Sequence, residues 1–228
     1  MEPLLTELSL AYSSTRPHVT IDIQRGGSAL GQTLAEAGQI DLGLVSWPPD
    51  NLSENVTLTP IARDGVAIIR NAQTPLIGIS AQELRDIFSG RLLNWRELDG
   101  PFMPIQVVSR EDGSGTRAAF EAIVMGDLQV TPTAIVLPNS QAVVDFVAKN
   151  PNAMGYVSHS FISDGVYAVM VEGVTPSLQS ITTNSYLLTR DLAILTPQRV
   201  KPETNRFIKF ILSPAGQVIV SRHWARVN

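Results

Sequence analysis

The sequence predicts an α/β protein with mixed, mostly parallel sheets covered by helices. Strand-like and helix-like patterns alternate almost throughout, and glycine and proline punctuate the changes of period. The 228 residues, 44% hydrophobic and 17% charged, suffice for a sizeable core. That length fits one large domain or two lobes of about 100 to 150 residues each.

Leu4, Leu5, Leu8, Ala11 and Tyr12 recur at helical spacing behind Pro3, which suits a first helical turn because its missing N–H has no intrahelical partner there. Val19, Ile21 and Ile23 alternate as a strand with one buried face. Arg25-Gly26-Gly27-Ser28 then leads into a short helix carrying Leu30 and Leu34, with Ser28 as its N-cap. Asp41 to Ser46 reads as the next strand, ended by Trp47-Pro48-Pro49, whose prolines cannot continue a ladder. Pro60 to Arg70 reads as a long strand through Asp64-Gly65, of a kind that can carry a chain from one lobe to another. Ser80 and Glu83 form a capping box in front of Leu84, Ile87 and Phe88, so a helix runs to Ser89-Gly90. Ile105 to Ser109 is a strand, Arg110 to Arg117 a polar glycine loop and Ala118 to Met125 a helix. Ser140 caps a helix with Val143, Val144, Phe146 and Val147, and Gly155-Tyr156-Val157 starts another strand. Strands around Val166 to Val171 and Tyr186 to Thr189 precede two terminal helices, which start at Pro202 and Pro214.

Several function classes are disfavoured. The net charge is −4, and lysine and arginine are scattered singly, which argues against a surface built to neutralise nucleic acid or anionic membrane. No apolar run approaches the roughly 18 residues of a membrane span, and Met1-Glu2-Pro3-Leu4-Leu5 is not the start of a secretory signal peptide. With no cysteine there is neither disulfide nor thiol chemistry, and His18, His159 and His223 have no metal-ligand spacing, so no cofactor and no metal are expected.

Ligands of open parallel sheets sit at the carboxyl ends of strands, so the turns after Ile23, Val45 and Val108 matter most. The third is Ser109-Arg110-Glu111-Asp112-Gly113-Ser114-Gly115-Thr116-Arg117. Its glycines allow close backbone approach, Ser114 and Thr116 offer hydroxyls, and Arg110 could close a fork on two oxyanion oxygens. The same residues also read as a capped helix start with Arg110 paired to Asp112 or Glu111, and composition leaves the two readings about even. No lysine follows the glycines, which excludes the usual nucleotide P-loop, and Gly113-Ser114-Gly115 is not a hydrolase nucleophile elbow. Ser28 and Ser46 add hydroxyls at the other two turns.

SREDGSGTRAAFE resembles the signature loop of the phosphate-binding proteins that serve phosphate ABC importers. IARDGVAIIR, SAQELRDIFSGRLLNWRELDG, NSQAVVDFVAKNPNAMGYVS and NRFIKFILSPAGQVIV resemble further blocks of that family, in its order. The resemblance implies a type II periplasmic-binding-protein fold. Its two lobes, residues 1–70 with 178–228 and residues 71–177, would be joined by a hinge and hold inorganic phosphate in the cleft between them. It implies phosphate contacts from Arg110, Ser114, Gly115 and Thr116 in one lobe and from Ser28 and Ser46 in the other, with Asp64 a further candidate. Asp64 or Asp112 would accept the proton that phosphate keeps and sulfate lacks. The implied role is binding without turnover, outside the cytoplasm (periplasmic or lipid-anchored at the cell surface), with a membrane permease as partner and no nucleic acid. The family's export signal, first strand and first phosphate loop have no counterpart here, which implies either a truncated chain with Met1 internal, the favoured reading, or a natural variant lacking part of the site; truncation would leave an exposed strand position open to a partner strand. The rival functions are a sensory or regulatory ligand-binding domain, a binding protein for sulfate, molybdate or tungstate, and a phosphate-releasing hydrolase.

Overall fold

The computed structural model describes residues 1–48 and 52–227, which form two units, 1–63 with 191–228 and 64–190. The chain passes between them twice, at 63/64 within one long strand and at 190/191 within another, where sequence reading had put the changes near 70 and 178.

In unit 1 the opening helix α1 (Glu2–Thr15) buries Leu4, Leu5, Leu8 and Tyr12, the stripe its spacing predicts. These residues share a core with Ile61, Ile194, Phe207, Ile211 and Trp224, and the Tyr12 ring lies 5.0 Å from that of Phe207. Helix α2 (Gly27–Glu36) lies on the short strand β1 (Gly43–Val45). Contact there is backbone on backbone: a Cβ at Gly43 would collide with the carbonyl oxygen of Gly31. The terminal helices α7 (Pro202–Leu212) and α8 (Pro214–Val220) begin at the two prolines.

The expected strand at Val19, Ile21 and Ile23 does not form. These residues are half-buried and alternate with exposed Thr20, Asp22 and Gln24, so the segment has the burial phase of a strand. It has no ladder, because no described strand pairs with it. Pro49, part of the expected turn after β1, lies outside the described residues.

Strand β2 (Val56–Asn71) carries the chain into unit 2, where it pairs antiparallel with β6 (Ala153–Ser158) and β7 (Val166–Ala168). Strand β4 (Gln106–Arg110) runs parallel to β6 and to β5 (Ile135–Leu137), and β3 (Gly78–Ile79) runs parallel to β8 (Met170–Val171). Helix α5 (Ser140–Lys149) covers this sheet with Val143, Val144 and Val147, packed on Ile69, Val108 and Val157. Helix α3 (Ala81–Phe88) has the predicted Ser80–Glu83 box, with each side chain accepting from the other's backbone N–H.

The sheets are mixed, as the expected fold class has them, with antiparallel pairs beside parallel ones. Strand β9 (Thr189–Pro197) returns antiparallel to β1, and it occupies the stretch after the expected strand 186–189, of which only Thr189 is extended. Two caps also move. Asn139, not Ser140, caps α5 by accepting from the Ala142 amide. The N-cap of α2 is Gly26, and Ser28 lies one residue inside the helix.

Candidate functional site

Strand β4 ends on Arg110, and the chain turns through Glu111 to Gly113, whose φ of 82° suits a residue without a Cβ. Helix α4 begins at Gly115, three residues earlier than expected, runs to Phe120 and continues as a π-helical turn over Glu121–Met125. Ser114 is its N-cap and accepts from the Arg117 amide at 3.4 Å. Arg110, Ser114 and Thr116 are only 8%, 4% and 7% exposed, so this polar group is packed into the unit. Donors and carboxylates buried together must satisfy one another or a ligand.

Arg110 resolves the pairing that its sequence left open. Its Nε and Nη2 donate to the two oxygens of Glu111 at 2.9 and 2.8 Å, Nη1 donates to Ser140 Oγ at 3.3 Å, and Nη2 also reaches the Pro138 carbonyl. Asp112 pairs instead with Arg117, which also holds Glu121 and donates to the Arg110 carbonyl. Burial pulls the Arg117 guanidinium down, but the hydrogen bond to Glu121 and the charges of Glu121 and Asp112 outweigh it and raise its pKa.

Behind the loop, the Tyr156 ring stacks on Phe120 at 4.3 Å, and its hydroxyl meets Ser109 Oγ at 2.7 Å. Burial pushes the Tyr156 phenol up to about 12, so it stays neutral at ordinary pH.

Asp64 does not stand free in this group. Its Oδ2 accepts from Arg190 Nε and Nη2 at 3.1 and 2.7 Å, and its Oδ1 accepts from Ser158 Oγ at 2.9 Å. The two charged side chains are 1% and 2% exposed. The third donor of the guanidinium, Nη1, reaches the Gly115 carbonyl at 3.2 Å. Sequence reading missed Arg190; an arginine beside Asp191, flanked by Leu187-Leu188 and Leu192 to Leu195, was the available signal. Nearby His159 has its pKa lowered by burial, against the opposing charge of Asp64.

In unit 1 the two serines come together. Ser28 Oγ accepts from the Ser46 amide at 3.1 Å and lies 3.4 Å from Ser46 Oγ. No side chain caps the start of α2, so its leading amides are left to solvent or a ligand. Among the described residues, no group of three or more His, Asp or Glu side chains is placed to hold a metal ion, and no helix is long and apolar enough to cross a membrane.

The family model described as PBP superfamily domain matches residues 1–215. The chain belongs to the PBP superfamily. Among solved PBP structures, a protein described as a phosphate ABC transporter substrate-binding protein, from Clostridium perfringens and with bound phosphate, superposes with a TM-score of 0.95 at 33% identity, over 99% of this chain and 95% of that one. An ABC-type phosphate transport receptor from Vibrio cholerae gives a TM-score of 0.84 at 27% identity, covering 98% and 95% of the two chains. The phosphate-binding protein PstS of Bacillus subtilis is 29% identical over 191 residues, 82% of this chain but 63% of the relative's own length. A two-unit α/β chain crossed by β2 and β9 is thus a PBP-superfamily fold.

Proposed function

We propose that this chain binds inorganic phosphate, without turnover, and delivers it to the membrane permease of an ABC importer on the outer side of that membrane. The observation that carries the reading is the buried group of Arg110, Ser114 and Thr116 at the end of β4, in a chain 33% identical to a phosphate-bound relative. Arg110, the Ser114 and Thr116 hydroxyls and the Gly115 backbone are the proposed donors of unit 2, and Ser28 and Ser46 those of unit 1. An arginine supplies charge and direction together, and the hydroxyls can donate or accept as each phosphate oxygen requires.

Two details refine this reading. Glu111 occupies Nε and Nη2 of Arg110, so phosphate draws first on Nη1 and competes with Glu111 for the rest. Both oxygens of Asp64 are engaged, so its proposed part is to support the loop; Asp112, exposed and paired with Arg117 through Oδ1, keeps Oδ2 as the proposed acceptor for the proton on phosphate.

The test is calorimetric titration at neutral pH of protein stripped of anion by partial unfolding and refolding. Saturable binding of phosphate and none of sulfate is expected. A folded, stripped protein that takes sulfate, molybdate or tungstate in place of phosphate would reassign the cargo, and one that takes no oxyanion would end the reading.

A further inference from the structure

We infer that Asp64 and Arg190 are a positioning pair for the anion loop: through the Gly115 carbonyl they aim the Thr116 amide at the bound oxyanion. The inference rests on the phosphate reading of the Arg110–Thr116 loop.

The Gly115 carbonyl and the Thr116 N–H are opposite ends of one planar group, so fixing the direction of one fixes the other. Arg190 Nη1 holds that carbonyl at 3.2 Å from inside the unit, and the Thr116 N–H therefore points the opposite way. It is one of the leading amides of α4, which have no acceptor four residues back within the helix. A cationic donor on the carbonyl also polarises the peptide and strengthens its N–H as a donor.

The guanidinium is itself immobilised. Nε and Nη2 converge on one oxygen of Asp64, whose other oxygen is fixed by Ser158, and Ser158 is in turn 2.9 Å from Ser160. A planar fork thus joins Asp64 to Gly115 in a fixed relation that a lysine ammonium would not reproduce. Residues 64 and 190 are the first and last of unit 2, so the start of α4 is tied to the two points where the chain enters and leaves that unit.

A purely stabilising role explains less. Replacing a buried ion pair by apolar residues of similar volume is often neutral or favourable to stability, so burial of the pair is no measure of its contribution. Any buried guanidinium must place its remaining donors; what a positioning role adds is that Nη1 lies on the carbonyl of the peptide that carries the Thr116 amide.

The double variant Asp64→Leu/Arg190→Met removes both charges together and leaves neither buried alone; Arg190→Lys keeps the charge opposite Asp64 and loses the reach to Gly115. Phosphate affinity, measured by calorimetry beside wild type, is expected to fall by about 10-fold or more in both, the range for removing groups that orient metal ligands. The Thr116 amide proton is expected to shift upfield and exchange faster in the anion-free protein, while amides of β6 keep their protection. If one variant does not fold, the other decides. Affinity within about twofold of wild type in a folded variant would overturn the inference. So would a loss accompanied by equally faster exchange throughout unit 2, which marks general loosening. Wild type that binds no phosphate would remove the reading beneath it, a result distinct from either.

Discussion

Two helix starts carry candidate phosphate-binding hydroxyls, Ser28 in one and Ser114 and Thr116 in the other, and they are built differently. In unit 1, α2 starts on two glycines with no side-chain cap, and it is held on β1 by the close backbone approach of Gly31 and Gly43. In unit 2, α4 starts on a capping serine, with Arg190 on its first carbonyl and Tyr156 stacked against Phe120. The first start owes its place to the absence of side chains, and no side chain caps its leading amides. The second owes its place to side chains, and some of its polar groups are already engaged. Substitution should therefore harm α2 where it adds atoms and α4 where it removes them.

The largest effect is expected at Gly43. Alanine there would press its Cβ on the Gly31 carbonyl, and backbone has no alternative rotamer to relieve the clash. A cost of about 3 kcal/mol in urea unfolding is expected. An unchanged midpoint would show that α2 is not seated on β1 as described.

Arg110→Ala comes next, with an expected loss of phosphate affinity of about 100-fold, since it removes a charge-assisted donor and leaves Glu111 without its partner. Equal affinities for wild type and variant, by calorimetry, would sink the assignment of the unit 2 donors.

The smallest effects separate the two starts most sharply. Ser114→Ala should cost about 1 kcal/mol of stability through loss of the N-cap, together with about fivefold in phosphate affinity. Ser28→Ala should cost a similar factor in affinity but only about 0.5 kcal/mol in stability, because Ser28 caps no helix and its loss removes only the part-buried hydrogen bond it accepts from the Ser46 amide. Equal shifts of the two melting midpoints would break the comparison.

How much was legible in the sequence follows the range of the forces involved. The α3 box needs only residues three apart, and the α1 stripe needs only the helical period, so both were readable. The group of Arg110, Ser114, Gly115 and Thr116 was readable because its members are near neighbours in one strand-to-helix turn. Arg110's choice of Glu111 was not, because Asp112, one residue further on, offers the same charge and goes instead to Arg117. Val19, Ile21 and Ile23 show the limit of periodicity: alternation sets which side chains are half-buried, whereas a strand also requires a neighbour to pair with.

The sequence by itself determined an α/β fold, the turns that carry hydroxyls and arginine, and the buried faces of α1, α3 and α5; in α2 the expected Leu30 is exposed and Ala35 is buried instead. It did so through turn chemistry and periodicity, which act over a few residues. The tertiary structure decided that Asp64 meets Arg190, 126 residues along the chain, and that Arg190 in turn reaches Gly115. An ion pair depends on which side chains the folded sheets bring within a few ångströms, and nothing in the local pattern around either residue encodes that distance.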